Sequence, residues 1–140
     1  MSAPSVAIKT LLVNAGLATF AATTGWALYI GSEPQAPDTC ITLFDYGGSD
    51  PNPTLILDEP NVQVRIRGAI GGYIAAYAKA VAIKKLLLGK AAGAVGSDTI
   101  NGIWMKGDIN PIGNDKAGRP LITINLRISF TPAESGSNRT

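Results

Sequence analysis

At 140 residues, 46% hydrophobic and 16% charged, the chain falls in the range of one globular domain and outside that of disordered segments. A formal charge of +2 gives too weak a field to argue for nucleic-acid wrapping or for an acidic partner. The sequence has no histidine and one cysteine, Cys40, which excludes histidine-based triads, an internal disulfide and a thiolate metal cluster, and which suits a reducing compartment.

Ser2 and Pro4 open a predicted helix, in which Ile8, Leu11, Leu12, Ala15 and Thr19 recur at spacings of three and four until Thr23, Thr24 and Gly25 break it. Lys9 to Ala22 has the apolar content of a signal-peptide core, but Asn14 and Thr19 dilute it and few basic residues precede it. Trp26 to Ile30 follows as a short strand. Pro34 and Pro37 mark a loop, and Thr39 to Tyr46 is strand-like until Gly47, Gly48, Pro51 and Pro53 interrupt it.

From Val62 to Arg67, Val62, Val64 and Ile66 alternate with Gln63, Arg65 and Arg67, which predicts a strand with one buried and one wet face. Gly68, Gly71 and Gly72 turn the chain into a second helix, Gly72 to Leu88, ended by Gly89. Ile70 to Leu88 is the longest apolar run, and Lys79, Lys84 and Lys85 inside it make a membrane span costly, so no membrane is expected. Thr99 to Lys106 reads as a strand, and residues 110–118 as a long turn-rich loop. The best alternation comes last, with Ile122, Ile124, Leu126, Ile128 and Phe130 opposed to Thr123, Asn125, Arg127 and Ser129. Half-wet strands with two helices indicate an α+β fold: one antiparallel or mixed sheet covered by helices on one face, over residues 1–131, with 132–140 as a polar tail.

Few residues point to chemistry. Gly68, Gly71 and Gly72 sit where a phosphate-binding loop belongs, but no Gly-Lys-Ser or Gly-Lys-Thr follows and the dinucleotide spacing is absent. The aspartates lie in loops or at strand ends, with no spacing that builds a carboxylate pair. No cofactor or metal is expected. Arg65, Arg67 and Arg127 fall on the polar phase of their strands, where the choices are a solvated face, a subunit contact or contact with passing DNA. The second helix carries two apolar stripes, Ile74, Tyr77, Val81 and Leu88 beside Tyr73, Ala76, Ala80, Ile83 and Leu87. Two stripes need two partners. The first helix of the same domain can supply one, and a neighbouring copy is the natural alternative, which makes Tyr73, Ile83 and Leu87 candidate contacts. The loops 47–60 and 107–120 are rich in rigid turn formers and are expected to reach neighbouring subunits or another assembly partner, through Asn114, Asp115 and Arg119 in the second.

The block from Ile30 through Pro34, Pro37, Asp38, Ile41, Leu43, Asp45, Gly48, Pro51, Pro53 and Pro60 to Val62, Gln63, Val64 and Arg67 resembles the tail-terminator and minor capsid proteins of long-tailed bacteriophages. The shared pattern is a proline-flanked strand, a Gly/Pro loop and a Pro-x-Val-Gln-Val strand carrying arginine and leading into a helix. Gly118 to Pro120, before the last strand, extends it. The resemblance implies a non-enzymatic subunit that assembles as a hexameric ring on the head-proximal end of the tail tube, at the head–tail junction of a virion built in the host cytoplasm. Its implied partners are copies of itself, the tail tube protein and a neck protein, with double-stranded DNA passing through the lumen without specific binding. The loops 47–60 and 107–120 are then expected to reach neighbouring copies or the tail tube. A neck or head-completion ring is the alternative. An enzyme using Asp45, Asp58 or Asp108 with a bound magnesium ion is a third reading, of a different class.

Overall fold

The alternating segment at the end of the chain becomes the longest strand and the centre of the sheet. The computed structural model describes residues 3–139, so Ser2 lies outside the described residues. The elements run α1 (Pro4–Asn14), β1 (Thr19–Phe20), β2 (Ala27–Ile30), β3 (Cys40–Tyr46), β4 (Asn61–Arg67), α2 (Tyr73–Leu87), β5 (Gly93–Val95), β6 (Asp98–Met105), β7 (Asn110–Asn114) and β8 (Pro120–Thr131). Among the described residues, eight strands form one sheet in the order β1-β2-β3-β4-β8-β6-β5, with β7 also paired to β8. The β1–β2 and β2–β3 pairs are parallel and the others antiparallel, so the fold is α+β with a mixed sheet.

Register explains the core. Ile41, Leu43, Val62, Val64, Ile66, Ile122, Ile124 and Leu126 pair across neighbouring strands and share one face, against which α1 packs Ile8 and Leu12 and α2 packs Ala76, Ala80, Ile83 and Leu87. Asp45 at the end of β3 holds the start of α1, accepting from both the Ser5 backbone N–H and its hydroxyl. A carboxylate there meets the unpaired N–H groups and positive end of the helix. At the junction of β4 and α2, Gly68 has no room for a side chain, since a Cβ would lie 2.9 Å from Pro120 and 3.0 Å from the Ala76 methyl. Gly68 thus lets strand and helix approach closely; it is a packing glycine.

Several expectations are corrected. The first helix ends at Asn14 and does not run on to Thr19, which instead begins the parallel edge strand β1. Residues 110–114 are not loop but strand β7, hairpinned onto β8 through the turn 115–119. Of the two stripes on α2, the one carrying Ile83 and Leu87 is core from Ala76 onward, with Tyr73 at its start exposed, while Ile74, Tyr77, Val81 and Leu88 face outward or lie half-buried.

Candidate functional site

Among the described residues the second face of the sheet carries no helix, and its two ends differ. Because β2 and β3 are parallel, the chain leaving Ile30 must return to the start of the next strand, and residues 31–39 make that return across this face. Ala27, Cys40, Thr42 and Thr123 are buried on this side, and burial pushes the Cys40 thiol up from its usual range.

Arginines hold the crossover in place. Arg67 is 2% exposed and donates from Nε to the Asp38 carbonyl, from one Nη to the Pro37 carbonyl and from the other to Glu33 at 3.0 Å. Arg65 Nε lies 2.7 Å from the other Glu33 oxygen, close but too far off the N–H axis to be a hydrogen bond. Arg119 reaches the same loop from the β7–β8 turn, bonding the Gln35 carbonyl at 2.7 Å and Asp38 at 3.2 Å while pairing with Asp115 at 2.8 Å. Arg119 donors, the backbone N–H first, hold the Asp115 carboxyl below the usual aspartate range. Of the nine sequence candidates, Arg67, Ile83 and Leu87 are therefore buried inside the subunit, and Arg65, Asp115 and Arg119 are committed to internal pairs. A guanidinium on the outward phase of a strand is wet only if nothing crosses over it, and here the return of a parallel pair does.

The other end of that face is open. Phe44, Gln63 and Asn125 stand side by side on β3, β4 and β8, with Gln63 Nε2 donating to Asn125 Oδ1 at 3.1 Å. Together with Tyr46 and Lys106 they line a groove of about 470 Å³. One row further, Arg127 lies over the Trp104 ring at 5.0 Å, and Lys106 over the Tyr46 ring at 5.5 Å. Trp104 is 46% exposed, a large aromatic surface left on a strand. The sequence showed Arg127 but not its neighbours. The signal was an outward-phase tryptophan in a strand that pairs with the arginine's own.

The outer face of α2 is the second open surface. Ile74 is 81% exposed, and Ile70, Tyr73 and Leu88 are exposed with it. The Tyr73 and Tyr77 rings lie 5.9 Å apart. Asn114 is exposed at the end of β7, opposite Pro120. The three acids of the enzymatic reading are scattered: Asp45 caps α1, Asp58 binds Arg139 and Asp108 binds Lys84. Among the described residues no cluster of three metal-ligating side chains occurs. What the surface offers is apolar and aromatic area edged with cations, which suits protein contact.

A profile of the bacteriophage tail terminator protein matches residues 11–132. The chain belongs to the bacteriophage tail terminator family. The family is one of phage structural proteins, so this member is a structural, tail-related protein of a phage-like virion. Its fold is shared with a chain from the virion of a native gene transfer agent particle, at 21% identity and a TM-score of 0.71, over 93% of this chain and 96% of that one. A second solved structure aligns at 13% identity and a TM-score of 0.53, over 77% of this chain and 81% of its own. No curated protein matches the sequence.

Proposed function

We propose that the protein is the terminator subunit itself: six copies close into a ring on the head-proximal end of the tail tube, stop its polymerisation and join it to the neck. The match to the terminator family over residues 11–132 carries this reading. The outer face of α2 and the open end of the sheet support it, since both present apolar surface that this chain does not cover. Double-stranded DNA passes through the lumen without specific binding. Arg65, Arg67 and Arg119 are paired with Glu33, Asp38 and Asp115, so these three guanidiniums are not free to grip phosphates.

The test is a phage lacking a functional copy of the gene. Tails longer than normal are the expected result, because tube growth has lost its stop. Tails of normal length beside leaking or unjoined heads would overturn the reading in favour of a neck protein.

A further inference from the structure

We infer that, within the proposed ring on which this inference rests, the loop 49–59 of one copy docks in the groove beside α2 of the next. That groove, about 350 Å³, runs between the outer face of α2 and the β6–β7 connection, over Tyr77, Val81, Leu88 and Ile109. Its rim is basic. The α2 segment contains no acidic residue, and of the two rim lysines Lys84 is matched by Asp108 at 2.9 Å, while Lys85 is exposed with no acidic partner among the described residues.

The loop is the chemical complement of the groove. Leu55 is 51% exposed and Leu57 38%, which makes the loop tip apolar. Asp50 and Glu59 flank that tip and carry no ion pair among the described residues, whereas Asp58 is already held by Arg139 at 2.7 Å.

The loop is also built before it binds. The Ser49 N–H donates to the Glu59 carbonyl at 3.3 Å, and Asn52 Oδ1 accepts from the Thr54 and Leu55 backbone at 2.9 Å each. At its base Gly48 lies so close to the facing chain that an added Cβ would stand 1.8 Å from the Glu59 oxygen. A preformed loop loses little entropy on docking. Loop and groove share no residue, so the contact is head-to-tail, and repeating it generates a ring when the rotation closes. Apolar contact supplies the attraction, and the carboxylates against Lys85 set the register.

The experiment compares wild type with Lys85→Glu, Glu59→Lys, their double variant and Leu57→Asp by native mass spectrometry, with circular dichroism confirming the fold of each. These side chains lie at the surface or in the loop, so folding is expected to persist. Each single variant is expected to lower the assembled fraction at least tenfold, and the double variant to recover a large part of the loss. Assembly of wild type together with unaffected single variants, or with a double variant no better than the singles, overturns the contact and leaves the ring standing. A wild type that never assembles overturns both.

Discussion

Arg67 occupies the outward phase of β4, and its strand pattern was legible; its burial was not, because burial depends on where residues 31–39 travel. Removing it leaves two carbonyls without their donor on a covered surface and Glu33 with Arg65 alone. Arg67→Ala is expected to cost about 3 kcal/mol in denaturant unfolding, the usual scale for breaking a buried pair by deleting one partner. The Asp115–Arg119 pair makes a different prediction. The folded carboxyl is depressed below the ordinary aspartate range, so its contribution to the β7–β8 turn is fully present above that range and is lost as pH falls through the lowered value. The protection of the Gly118 amide, its exchange rate set against the intrinsic rate at the same pH, should fall on acidification in wild type and lose that pH dependence in Asp115→Asn; that N–H bonds the Asp115 carbonyl at 3.0 Å.

At the level of elements, legibility followed length and partners. β4 and β8 alternate cleanly in residue type because each has strand neighbours on both edges and one face under the helices, so apolar residues recur on every second position. β1 and β5, of two and three residues, are too short to show a period, and β7 contains Pro111 and Gly113, tolerable because its outer edge is unpaired among the described residues. Helix α2 was found with its ends nearly right, yet its two stripes were equivalent in sequence, and only packing tells core from surface. Ile83→Glu would bury a charge under the sheet and should unfold the subunit, at a cost of about 4 kcal/mol or more. Ile74→Glu should keep the melting transition and lose higher-order species in sizing. If Ile74→Glu assembles like wild type, the outer face of α2 is not an assembly surface near that residue.

For the whole molecule, the single sheet has one face sealed by helices and the other half sealed by its own crossover. What remains uncovered lies mainly at the open end of the sheet, on the outer face of α2 and on the loop 49–59, with Phe20 on β1 and Ile112 on β7 exposed as well. Family membership and fold say that this is a tail-related structural subunit, and the uncovered surface says that a monomer leaves apolar area in water. The measurement that tests the ring most directly is the mass of the purified native particle across a dilution series. A closed species of six subunits that persists on dilution is the expected result. A monomer at every accessible concentration, or open polymers with no preferred size, would contradict it.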